Sequence, residues 1–198
     1  MAETGQIPTE VGLLSNLQVV ELNDNVLTGT LPSQPFQLPQ LTSIVLANNN
    51  FAGTLPSEIR LATALQTLDL RGNSFSGEIT SAVNPALTSL YLSGNDFDGT
   101  ISQSFGEMTN LRNLHLQGNS ALSGTLPASF ASMSQLTDMR LSGTSLNGGI
   151  EEVICDTTMR FQFDSLAADC RGFSPPKIEC SCCTTCCKSS QQDGACSI

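Results

Sequence analysis

The stretch Leu41-Thr42-Ser43-Ile44-Val45-Leu46-Ala47-Asn48-Asn49-Asn50-Phe51-Ala52-Gly53-Thr54-Leu55-Pro56 is repeated, with small changes, along most of the 198-residue chain. The leucines that open each copy are Leu17, Leu41, Leu65, Leu87, Leu111 and Leu136, at steps of 24, 24, 22, 24 and 25 residues. A self-similarity with a period in the twenties marks a stacked repeat rather than a set of independent elements. Amphipathic helices would not place Asn and Gly at fixed offsets inside every unit.

Each unit carries the same physics. Val20/Leu22, Ile44/Leu46, Leu68/Leu70, Leu90/Leu92, Leu114/Leu116 and Met139/Leu141 form apolar pairs two residues apart. That spacing turns both side chains of a strand to one face. Asn25, Asn49, Asn73, Asn95 and Asn119 follow at the point where the chain leaves the strand. An amide side chain both donates and accepts, so a column of asparagines can satisfy backbone groups buried at each turn. Thr144 takes that place in the last full unit. A Gly then permits a tight bend. The Leu-Pro pairs Leu31-Pro32, Leu55-Pro56 and Leu126-Pro127 favour extended backbone. One coil cannot bury its own apolar face, and stacking makes the core continuous.

The consensus L-x-x-L-x-L-x-x-N-x-L-x-G-x-[IL]-P, carried by Leu27-Thr28-Gly29-Thr30-Leu31-Pro32 and Phe51-Ala52-Gly53-Thr54-Leu55-Pro56, closely resembles the plant-type leucine-rich repeat. That family includes polygalacturonase-inhibiting proteins and receptor-kinase ectodomains. The resemblance runs over roughly residues 5 to 153. It implies a right-handed α/β solenoid with a parallel sheet on the concave face and mostly irregular or 3-10 convex segments. It also implies extracellular or cell-surface recognition of a protein, peptide or glycan, without catalysis or cofactor. Thr80 and Ser102 depart from the pattern where Pro is usual, and no Asn-x-Ser/Thr glycosylation acceptor is present.

Composition narrows the partners. Eighteen acids against eight bases give a formal net charge of −10. Nucleic acid needs a clustered basic surface, and an anionic membrane does too, so neither is expected. No apolar run approaches the roughly 20 residues of a transmembrane helix. Met1 to Glu10 lack the basic start and apolar run of a signal peptide. Thr4-Gly5-Gln6-Ile7-Pro8 matches the end of a repeat, so the sequence is expected to start within a unit.

All eight cysteines fall late: Cys155, Cys170, Cys180, Cys182, Cys183, Cys186, Cys187 and Cys196. The expected division is a solenoid over residues 1–153 and a cysteine-rich cap and tail over 154–198. Ser165-Leu166-Ala167-Ala168-Asp169-Cys170 reads as one more short strand. A Cys155–Cys170 bridge would tie it to the preceding repeat, worth on the order of 3 kcal/mol for a loop of about 15 residues. This layout is similar to cysteine-tailed repeat proteins of unicellular algae. A stapled cap is the expected role. Eight cysteines allow 105 pairings, and the sequence does not choose among them. Cys183-x-x-Cys186 has metal-ligand spacing, but no second pair or His follows it, so no metal is expected. Palmitoylation would have only Lys188 as nearby positive charge.

The residues between the inward leucines face outward from the concave sheet. The central column reads Glu21, Val45, Asp69, Tyr91, His115 and Arg140, flanked by Asn23, Ala47, Arg71, Ser93, Gln117 and Ser142 on one side. Val19, Ser43, Thr67, Ser89, Asn113 and Asp138 flank it on the other. With coils spaced about 4.8 Å apart, Asp69, Arg71, Tyr91, His115, Gln117 and Arg140 are expected to form one ligand-binding patch. It holds the only Tyr and the only His of the chain. Tyr and Arg are enriched in binding hot spots. Catalysis is not expected, because Asp69 sits two coils, about 10 Å, from His115 and nothing orders Ser93 as a nucleophile. The alternative reading is a structural or adhesive surface protein crosslinked through its cysteines. Ice binding by the Thr-bearing segments Thr28-Gly29-Thr30, Gly53-Thr54 and Gly99-Thr100 is a remote variant, since Glu78 and Gly149 break the row.

Overall fold

The computed structural model describes residues 4–149, 165–171, 178–179 and 185–188, with the side chains of Thr4 and of the last three stretches outside the description. The apolar pairs form the strands expected of them. Val19–Glu21, Ser43–Val45, Thr67–Asp69, Ser89–Tyr91, Asn113–His115 and Asp138–Arg140 lie side by side in one parallel sheet, the concave sheet. Ser165–Arg171 and Thr185–Lys188 extend it, so the stretch read as a further strand is one. Pairing joins each coil to the next at a fixed offset: Asp69 opposes Tyr91, Tyr91 opposes His115, and His115 opposes Arg140.

The opposite side of each coil holds a 3-10 turn, six of them among the described residues. Between the concave strand and that turn, the segments Thr4–Gly5, Val26–Gly29, Asn50–Gly53, Ser74–Glu78, Asp96–Thr100, Ala121–Gly124 and Ser145–Leu146 pair into a second parallel sheet. From sequence these segments show only a bend at Gly and extended backbone at Leu-Pro. At Gly53, Gly77, Gly124 and Gly148 a Thr methyl of the preceding coil lies over the glycine. A Cβ on Gly77 would stand 2.9 Å from Thr54 Cγ2, so the close approach of the coils requires glycine there.

Leu46, Leu68, Leu90, Leu114 and Leu141 are buried along the inner face of the concave sheet. Two aromatic pillars run along the solenoid. Phe51, Phe75 and Phe97 stack at 6.1 and 6.4 Å between centroids, and Phe105 stacks on Phe130 at 6.1 Å. Burial is lower in the first coil, where Leu17, Val20 and Leu22 are only half-buried and Leu13 and Leu14 are exposed.

Asparagine governs the exit from each concave strand. Asn95 Nδ2 donates to the carbonyls of Leu92 and Leu70, both at 3.0 Å, and its Oδ1 accepts from the Phe75 amide at 3.0 Å. Asn119 does the same with Leu116 O, Leu92 O and the Phe97 amide. Asn49 and Asn73 repeat the pattern, and Asn25 donates to Leu22 O. Thr144 keeps one element of it, its hydroxyl donating to Leu141 O at 2.8 Å. The residue before or near each ladder position turns left-handed. Asp24 and Asn48 adopt φ 58° and 57°, and Gly72, Gly94, Gly118 and Gly143 occupy the same place in later coils.

Candidate functional site

The concave sheet positions the candidate residues because strand alternation sends them to its outer face. Asp69 and Arg71 are two residues apart on one strand and its continuation. Arg71 holds Asp69 with Nε at 2.9 Å from Oδ1 and Nη2 at 2.6 Å from Oδ2. The guanidinium carbon of Arg71 stands 4.9 Å from the Tyr91 ring centroid, a cation–π placement. Tyr91 meets His115 edge to face at 4.7 Å. His115 Nε2 lies 2.8 Å from Asp138 Oδ2. Asp138 also accepts from Arg140 Nε and Nη2, each at 3.2 Å. One unbroken chain of contacts therefore crosses four coils, from Asp69 to Arg140.

Five of the six candidate residues lie in this chain. Gln117 follows His115 by two residues and is half-buried, and its Oε1 is occluded with no hydrogen-bond partner among the described residues. His115 Nδ1 is occluded in the same way. Exposure differs from the expectation of an open face. Asp69 and His115 are buried, with 4% and 6% relative exposure, whereas the side chains of Arg71 and Arg140 are 45% and 41% exposed. The aspartates and the imidazole lie beneath the guanidinium groups and the tyrosine.

Asp138, a residue of the flanking column outside the expected patch, completes the arrangement. The signal was present twice: Asp69-Leu70-Arg71 and Asp138-Met139-Arg140 each place an acid and a base on one strand face. Such pairs are in reach of each other in any register. The separation of Asp69 from His115 holds, and the carboxylate that faces His115 comes from the next coil instead.

Electrostatics follow from this burial. Burial pushes the His115 imidazole below its ordinary pKa, with the Arg140 and Arg71 charges acting the same way, and together they outweigh the opposing bond and charge of Asp138. Burial raises the Asp138 carboxyl, but hydrogen bonds from Arg140 and His115 outweigh it and hold the group below its usual value. Arg71 is pushed up by its hydrogen bonds to Asp69. The lowered pKa favours the neutral imidazole of His115, and facing a carboxylate its Nε2 is the nitrogen suited to donate.

Two leucine-rich-repeat family models match residues 40–61, 64–84 and 85–146, together just over half of the chain. The chain is a leucine-rich-repeat protein. Its solenoid is similar to the ectodomain of the plant membrane receptor kinase GASSHO1/SCHENGEN3 from Arabidopsis thaliana in complex with CASPARIAN STRIP INTEGRITY FACTOR 2, at 31% identity and TM-score 0.74. That likeness covers 85% of this chain and 20% of the receptor. The Arabidopsis receptor kinase HAESA ectodomain, in complex with an IDA peptide hormone, is 27% identical at TM-score 0.72 over 84% of this chain and 29% of its own. This leucine-rich-repeat chain spans only about a fifth to a third of either receptor chain. A plant ice-binding protein, 24% identical at TM-score 0.63 over 83% of this chain and 59% of its own, shares the fold alone. No curated protein matches the sequence.

Leucine-rich-repeat ectodomains of this kind are typically non-enzymatic, and the neighbours named above are receptor ectodomains. No helix among the described residues is long and apolar enough to cross a membrane. Of the disulfide candidates, Cys155, Cys180, Cys182, Cys183 and Cys196 lie outside the described residues, and only the backbone of Cys170, Cys186 and Cys187 is described.

Proposed function

We propose that this leucine-rich-repeat protein is an extracellular, non-catalytic recognition module that binds a peptide or protein segment across its concave sheet. The observation that carries the reading is the preordered chain Asp69–Arg71–Tyr91–His115–Asp138–Arg140. Arg71 and Arg140 are long, flexible side chains, and ordering them on binding would cost about 0.5–1.5 kcal/mol each. Here their aspartates hold them in place before any ligand arrives. Tyr91 offers an apolar ring with a polar tip, the kind of surface that anchors peptides at low entropic cost. The structural neighbours in complex with peptide ligands support the class.

The patch is balanced in charge, since each arginine has its own carboxylate. A strongly acidic ligand would have to draw Arg71 off Asp69, leaving a buried carboxylate unpaired, which is costly. The reading therefore favours a ligand that uses Tyr91 and the exposed faces of the guanidiniums without breaking their ion pairs. Selection from a random peptide library on the wild-type chain tests it. Selected peptides lose about 10-fold or more in affinity on Tyr91→Ala, as expected for a central aromatic anchor. Peptides that bind Tyr91→Ala and Arg140→Gln as tightly as wild type would remove the concave sheet from the proposal.

A further inference from the structure

We infer that the protein has a second ligand site, away from the concave sheet, which binds a carboxylated sugar at Arg112. Beside the start of the concave strands, successive coils form an open polar hollow of about 490 Å³ on the surface, lined by Gln66, Thr88, Thr109, Asn110, Arg112 and Gln135. That volume falls within the range of small-molecule sites, about 300–1,000 Å³.

The backbone beneath the hollow is fixed. The carbonyl of Arg112 accepts from the Thr137 and Asp138 amides, both at 2.9 Å, and the Thr88 hydroxyl donates to Gln66 O at 3.1 Å. Asn110 Nδ2 donates to Pro85 O at 3.0 Å and sets one rim. The side chains of Gln66, Thr109, Arg112 and Gln135 have no partner among the described residues. They are exposed on a rigid frame, where a ligand can replace the water around them.

Arg112 gives the site its sign. Four arginines have described side chains. Arg60 pairs with Glu107, Arg71 with Asp69 and Arg140 with Asp138. Arg112 alone, among the described residues, lacks an acidic partner. On a chain of net charge −10, an anion is repelled in general and is held only where a cation is left uncompensated. The guanidinium fork matches a carboxylate with two parallel hydrogen bonds.

The rest of the lining selects the body of the ligand. Gln66 and Gln135 offer amides that donate and accept, and Thr109 offers a hydroxyl. Ala86 is the sole apolar side chain in the wall, and no aromatic contributes. A sugar ring carries a hydroxyl on most of its carbons and meets a partner in each direction. An acidic peptide would supply the carboxylate but set aliphatic carbons and a fixed amide spacing against the same polar wall.

Calorimetric titration of the full chain with a tetramer of β-1,4-linked glucuronic acid tests the site, with cellotetraose and tetraglutamate as comparators. The first two share one backbone and differ in the carboxylate. The glucuronate tetramer is expected to bind, and each comparator to bind at least about 10-fold more weakly, as is the glucuronate tetramer to Arg112→Gln. Tyr91→Ala is expected to leave glucuronate binding unchanged, which separates this site from the concave one. Absence of saturable glucuronate binding overturns the inference. So does equal binding of cellotetraose or tetraglutamate, equal binding to Arg112→Gln, or loss of glucuronate binding on Tyr91→Ala.

Discussion

His115 and Asp138, from neighbouring coils, are locked together with Nε2 2.8 Å from Oδ2, and Asp138 is shared with Arg140. His115 is the single histidine of the chain, so its titration can be followed without ambiguity. Burial and the two arginines lower its pKa, while Asp138 opposes them. An NMR pH titration is expected to place His115 below the ordinary imidazole value of about 6.5. Asp138→Asn is expected to lower it further and Arg140→Gln to raise it. A rise on Asp138→Asn would contradict the assignment of causes.

The same pair makes stability depend on pH. A histidine whose folded pKa is lowered binds its proton more readily when unfolded, so stability rises with pH across the interval between the two values. The His115 contribution is therefore complete above about 6.5 and shrinks as pH falls from there through the folded value. The depressed carboxyl of Asp138 adds a second loss at lower pH, as its folded pKa is passed. Urea midpoints measured from pH 7.5 downward are expected to fall in the first of these windows. In His115→Gln that first decline is expected to be absent.

Asn95 makes four buried hydrogen bonds to two coils. Asn95→Ala leaves the Phe75 amide unsatisfied away from water, at about 1–3 kcal/mol, while Leu70 O and Leu92 O keep the amides of Asn73 and Asn119. Equilibrium unfolding is expected to show a loss of about 1–3 kcal/mol. Asn25→Ala, on a half-buried ladder position, is expected to lose less. Equal losses would mean that burial does not set the value of the ladder.

Gly118 adopts φ +79°, and a Cβ there would stand 3.3 Å from the Gly94 amide nitrogen and 3.4 Å from its Cα. Backbone cannot swing aside as a side chain can. Gly118→Ala is expected to cost about 1–2 kcal/mol in urea unfolding, the penalty of a left-handed L-residue. An unchanged midpoint would show that the coils can separate locally at little cost.

The cysteine cap is open to a direct chemical check. Alkylation and intact mass of protein from its native compartment are expected to show no free thiol among the eight cysteines. Eight alkylated cysteines without prior reduction would remove the stapled cap from the account.

The repeat was legible because each coil restates one physical solution: paired apolar residues, an asparagine and a glycine at fixed offsets. The strand at Ser165–Arg171 was legible for the same reason. The second sheet was not, because its strands are two to five residues long and pair with a coil some 24 residues away. The outward columns placed Arg71, Tyr91, His115 and Arg140 on one face, and register alone sufficed for that. The burial of His115 and Asp69 was hidden, since it depends on side chains folded over them from adjacent coils. The part played by Asp138 is not legible from the outward columns, because its ion pair with Arg140 runs along the strand rather than across coils.

Peptide binding on the concave sheet is the core of the account, and chemical-shift mapping with a peptide selected on the wild-type chain addresses it. The His115 imidazole and the amides of Ser89–Tyr91, Asn113–His115 and Asp138–Arg140 are expected to shift together on titration. Shifts confined to the second sheet or the 3-10 turns, with His115 unmoved, would contradict it.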